Sequence, residues 1–190
     1  MTTAPPRYLY HAVTDLTPGT DVLLPASSLR DIDPDAYQRA ISKYDDTPER
    51  RRLALVRIPV IQRAWTEVVF LSPVHPHAIW SAWQEVAGAP RPPMAFWQIP
   101  VGAVPEGAVV YDRRSGSVGD SIDPAQVSHL DHEGFRTALQ TTAENRAWLA
   151  SLAAEGLRGA WFNLTPHVLT PGPVPLEEAT VISWDEPPVF

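Results

Sequence analysis

Six histidines and one dense run of arginines are the side chains here best suited to chemistry. His75 and His77 stand two apart in "VVFLSPVHPHAIWSAWQEVAG" (residues 68–88), so on an extended segment they share a face. Imidazoles at that spacing can bind zinc, iron or copper, but a site needs at least one more ligand. His129 and His132, beside Asp131 and Glu133 in "SHLDHE", would supply one if the two clusters met. Pro73 and Pro76 give the first pair a plainer account, as the turn into a helix or the rim of a pocket, and no metal is expected. A serine triad has no support: there is no G-x-S-x-G elbow, and Ser115 and Ser117 fall in the polar loop "DRRSGSVGDS". Carboxylates come as sequence neighbours, among them Glu177 and Glu178. On a strand only one of such a pair faces inward, which does not suit a two-carboxylate hydrolase.

Six of the fifteen basic residues lie between Lys43 and Arg63. Such a run is ordinarily a solvated face, while a strip of guanidinium forks also suits phosphate. Seven tryptophans are many for 190 residues, and most must be core. Trp80 lies off the apolar stripe of its helix, on the side shared with His77 and Gln84, where it packs under a loop or lines a cleft that stacks a planar ring.

These side chains need a scaffold, and the composition allows one. At 190 residues the chain reads as a single domain, residues 1–190, able to bury about 70% of its unfolded surface. Apolar residues at 44% and charged residues at 19% fit a folded chain rather than a disordered one. A net charge of −7 argues against a protein that coats nucleic acid. No run approaches the ~18 apolar residues of a membrane span, and the start lacks a signal-peptide pattern. The absence of cysteine excludes disulfides and thiolate metal sites. A cytoplasmic protein is the expectation.

Twenty-one scattered prolines predict short elements and many loops. "RYLYHAVT", "LALVRIPV", "EVVFLS", "MAFWQIPV", "GAVVYD", "GAWFNL" and "ATVISW" read as strands. Helices are expected after Asp33-Pro34, after Pro76 up to Gly88, and from a capping box of Thr141 with Glu144 to Gly156. About three short helices among irregularly placed strands predict an α+β domain. No glycine-rich phosphate loop follows a strand.

In order, these features resemble the ADP-ribosyltransferase superfamily, histidine class. "LYHAVT" is similar to its first strand, "VVFLSP" with "HAIWSAWQEV" to a strand ending in a small hydroxyl residue and then a helix, and "PLEEATVISW" to its last strand. The resemblance implies a split β-sheet core and NAD as substrate, with ADP-ribose passed to an acceptor, protein or nucleic acid, that the sequence does not identify. It implies His11 at the NAD ribose, Ser72 at the hydroxyl position, and Glu178 (or Glu177) as catalytic acid. His11 and Glu178 would then sit on neighbouring central strands facing one cleft, with His77, Trp80 and Tyr44 as further contacts to the cofactor. The superfamily's usual "I-x-x-x-G-L" helix is replaced by "LTPGTDVLLPASSL", and a matching tyrosine is open between Tyr44 and Tyr111. The alternatives are a non-enzymatic nucleotide- or partner-binding domain and a histidine-liganded metalloenzyme.

Overall fold

The computed structural model of the chain describes residues 7–16, 19–88, 92–113 and 119–189. It is an α+β structure. β1 (Tyr8–Ala12) and β2 (Val22–Leu23) lead into three short helices, α1 (Leu29–Ile32), α2 (Pro34–Ser42) and α3 (Pro48–Leu55). The hairpin β3 (Arg57–Ile58) and β4 (Arg63–Ala64) follows, then β5 (Val69–Leu71) and α4 (Pro76–Ala87). β6 (Ala95–Pro100), β7 (Val109–Tyr111) and β8 (Val127–His129) precede α5 (Ala143–Ala154). β9 (His167–Thr170), β10 (Val174–Pro175) and β11 (Thr180–Ser183) complete the order.

Local chemistry explains most helix starts. Asp33 accepts the Ala36 N–H at 2.9 Å, with Pro34 at the first position of α2. Thr47 does the same for α3 through the Arg50 N–H, with Pro48 behind it. For α5 the cap is Thr142, which accepts the Asn145 N–H at 3.0 Å, one residue later than the Thr141 box expected. Gly88 closes α4 at φ 61°, in the left-handed region that glycine enters at no steric cost.

Two findings correct the sequence reading. Leu53 to Leu55, expected in a strand, end α3, and five helices stand among the described residues where about three were expected. "GAWFNL" forms turns, and the strand lies just beyond it as β9. Gly159 at φ 108°, Ala160 at φ 48° and Leu164 at φ 60° are incompatible with a strand there.

Two antiparallel sheets carry the core. One has the order β1-β6-β11, the other β5-β9-β7-β8. Among the described residues one backbone bridge links them, in which Tyr10 and Ser72 exchange both hydrogen bonds at 2.9 and 2.8 Å. Leu9, Leu71, Ile99 and Val168, all fully buried, seal the two sheets together. Each such side chain contributes about 1.5–3 kcal/mol by leaving water. α4 and α5 pack on each other through Ile79, Ala82, Trp83, Leu149 and Leu152.

Candidate functional site

Beyond the Tyr10–Ser72 bridge the two sheets share no further ladder among the described residues. A cleft of about 1120 Å³ opens there. One wall is the end of β1 and the segment after it, His11 and Val13 to Asp15; the facing wall is Val68 to Phe70, running into β5. α2 and α3 close one side with Arg39, Lys43, Tyr44 and Arg50, and the turn residues Ala160 to Asn163 line another part. Trp65 and Phe70, also lining, pack ring to ring at 4.5 Å, and Trp65 meets Tyr111 edge-on at 6.4 Å. A planar group entering the cleft therefore meets an aromatic wall.

Among the described residues, four cations, Arg39, Lys43, Arg50 and Arg113, line this cleft against one carboxylate, Asp15. The molecule as a whole carries −7, so the positive cleft is local. Arg50 bonds Asp46 at 2.8 Å and the Lys43 carbonyl at 3.2 Å. Among the described residues Arg39, Lys43 and Arg113 have no carboxylate partner. Lys43 is solvent-exposed by its surface, yet the surrounding walls of the concavity thin the water around it. That desolvation, with the Arg50 guanidinium nearby, pushes its pKa below the ordinary value. Its ammonium lies 5.1 Å from the centre of the Tyr44 ring. Cations gathered along a concavity with few carboxylates raise the local positive potential that draws in an anion.

Two imidazoles line the same cleft. His11 Nδ1 lies 2.7 Å from the Ala12 carbonyl, and His167 Nδ1 lies 2.9 Å from the Thr165 carbonyl. A carbonyl only accepts, so in both rings Nδ1 carries the proton and Nε2 is left as an acceptor. Burial lowers the pKa of both, His167 to about 4, with Arg113 adding to that shift. Both rings are neutral at neutral pH. His167 was not marked by the sequence: it sits in "TPHVLT", with no second polar residue at a telling spacing, and only the β5-β9 and β7-β9 pairings bring it to the fork.

Of the residues singled out from sequence, His11 and Tyr44 come together in the cleft, with Lys43 and Arg50 of the basic run. Ser72 is buried outside the lining, its hydroxyl donating to the Val74 carbonyl at 2.9 Å and accepting the Val74 N–H at 3.0 Å. It shapes the turn into α4. His75 Nδ1 caps that helix by accepting the His77 N–H at 3.1 Å, and its ring meets Tyr10 edge-on at 4.9 Å. His77 stacks on Trp80 at 5.2 Å, and Trp80 packs against Tyr10, Phe96 and Trp184, away from the cleft. Among the described residues no three histidine or carboxylate side chains converge as a metal site would need. His132 instead uses Nε2 on the Val104 carbonyl at 3.1 Å.

Glu177 and Glu178 are exposed and do not line the cleft. β6 lies between β1 and β11, so His11 and Glu178 are not on neighbouring strands as expected. The register explains the separation. Tyr10 and Thr180 both pair with Gln98, and His11 and Val181 both pair with Trp97. From that level β1 runs on toward the cleft, while Glu178 precedes Thr180 and lies the other way. Comparison with protein-family models, with curated proteins and with solved structures finds no match to this chain.

Proposed function

We propose that the cleft binds NAD, and that the protein is ADP-ribosyltransferase-like, passing ADP-ribose to an acceptor that is a protein or a nucleic acid. One observation carries this reading: Arg39, Lys43, Arg50 and Arg113 converge with the neutral His11 in a single aromatic-walled cleft. Guanidinium groups and an ammonium suit a pyrophosphate. An imidazole acceptor suits a ribose hydroxyl, and an aromatic wall suits nicotinamide or adenine. The cleft lies at the fork of two sheets, the place a split-sheet transferase core would offer. No glycine-rich loop is required, because side chains supply the charge.

Cleavage of the nicotinamide–ribose bond builds positive charge on the sugar, which a nearby carboxylate stabilises. Asp15 lines the cleft and Glu178 does not, so Asp15 takes the place of Glu178 as the acid in this reading. The same fact favours a second reading, a nucleotide-binding domain without turnover. Nicotinamide release and NAD-dependent melting separate the two. For an enzyme, Asp15→Asn lowers turnover by at least about 100-fold, as loss of a transition-state contact does, while Glu178→Gln leaves it unchanged. For a binding domain, NAD at 100 times its dissociation constant adds about 2.7 kcal/mol of stability with no nicotinamide released. Turnover lost in Glu178→Gln but kept in Asp15→Asn would return the role to Glu178.

A further inference from the structure

The four cations account for an anion, but they leave the second imidazole unexplained. His167 stands at the start of β9, edge-on to Phe70 at 6.2 Å, and lines the cleft. Its Nδ1–H is spent on the Thr165 carbonyl, and its Nε2 has no partner among the described residues. Nor is that nitrogen among the buried unpartnered atoms, so it keeps contact with solvent in a residue that lines the cleft. A bare imidazole nitrogen is an acceptor only. It cannot bond a phosphate oxygen, which at neutral pH also only accepts, and it needs an O–H or N–H from the ligand. Arg113 lines the same cleft as His167 and offers a guanidinium that suits a phosphate. In a nucleotide the donors next to a phosphate are the ribose hydroxyls, whereas the base amines lie a nucleoside's length away.

We propose that His167 is a specificity-determining residue: its Nε2 takes a hydrogen bond from a ribose hydroxyl of a ligand whose phosphate is held by Arg113, so the cleft selects ribonucleoside diphosphates over their deoxy counterparts. This rests on the phosphate-binding reading of the cleft. It adds to it a residue on the opposite sheet from His11 and a preference that charge alone does not give. An anion-binding cleft without the acceptor would hold inorganic pyrophosphate and any nucleotide alike. A site built around a hydroxyl rejects the analogue that lacks it, because its acceptor is left without water or partner.

The test is calorimetric titration with ADP, the two analogues of ADP that each lack one ribose hydroxyl, and inorganic pyrophosphate. Unaltered protein binds ADP about tenfold tighter than one of the two deoxy analogues, the loss expected for one buried hydrogen bond. His167→Asn keeps an N–H for the Thr165 carbonyl and removes the outer nitrogen. It binds ADP no better than that analogue and pyrophosphate as before. His167→Gln, whose amide reaches the Nε2 position, keeps part of the preference, which a merely structural role would not produce. Unaltered protein that binds pyrophosphate but both deoxy analogues as tightly as ADP overturns the proposal and leaves the anion cleft standing. A full preference in His167→Asn overturns it as well. Protein that binds none of the four removes the phosphate reading with it. The comparison on unaltered protein needs no variant, so the stability of the substituted chains does not decide the outcome.

Discussion

His75 and His77 have the same side chain two residues apart, and the structure gives them different work. His75 is an N-cap whose Nδ1 must stay unprotonated to accept the His77 N–H, and burial holds its pKa at about 4, against 6.5 ordinarily. A folded-state pKa below the unfolded one means the unfolded chain binds more protons between those values. The contribution to stability is therefore complete above about pH 6.5 and is lost as pH falls toward 4. His167 and His11, shifted in the same direction, add to the same acid-side loss. We predict that His75→Asn, which keeps a capping acceptor that does not titrate, flattens part of the fall in urea midpoint between pH 7 and pH 4.5. His75→Ala lowers stability by about 1 kcal/mol at pH 7, as loss of a cap does. A midpoint equally pH-dependent in wild type and His75→Asn would contradict this account. The proline-flanked turn and the shared side of His77 and Trp80 were legible in the sequence; the burial of His75 against Tyr10 was not, because Tyr10 arrives from β1.

α3 shows where local reading works and where it stops. Thr47-Pro48-Glu49 is a cap, a first-position proline and a first-turn acid, all visible in sequence, yet the apolar Leu53-Ala54-Leu55 that follows reads equally well as the start of a strand. The run of Arg50, Arg51 and Arg52 hides the helix, since three consecutive arginines interrupt any apolar stripe along α3. α2 and α4, with strong caps and an apolar face, are legible throughout. β9 and the fork are not, because strand pairing across a hundred residues leaves no local mark. α3 also meets Gly119, where a Cβ would stand 2.5 Å from the Glu49 carbonyl oxygen and 3.3 Å from Arg52 Cβ, at φ +86°. Gly107 has nearly the same φ, +85°, but open space around it. We expect Gly107→Ala to cost about 1 kcal/mol from backbone strain alone, and Gly119→Ala to cost more, because the atom it meets is backbone that cannot turn aside. Thermal melting checks this, with about 2–4 °C lost per kcal/mol at this chain length. Equal losses at the two glycines would mean that α3 does not dock on that segment.

At the scale of the molecule, two sheets joined by one backbone bridge create the site. The α+β class follows from the sequence, because alternating apolar residues and scattered prolines fix what kind of elements form. Half of the site does not, because His11 and Tyr44 were visible as residue types while His167, Arg113 and Asp15 gain meaning only once the fork brings them together. The same topology removes Glu178, since a strand order with β6 between β1 and β11 cannot be read from motifs. The centre of the proposal is an anion site: Lys43 beside Arg50, with Arg39 and Arg113 lining the same cleft, in a protein of net charge −7. On that proposal the cations attract a pyrophosphate, and reversing one of the charges replaces attraction by repulsion. The most direct measurement is calorimetric titration of NAD into wild type and Lys43→Glu at low and high salt. The account predicts saturable binding in wild type, weakened by salt and at least about tenfold weaker in Lys43→Glu. Wild-type protein that takes up no NAD at millimolar concentration, or binds it equally well after the reversal, would contradict it.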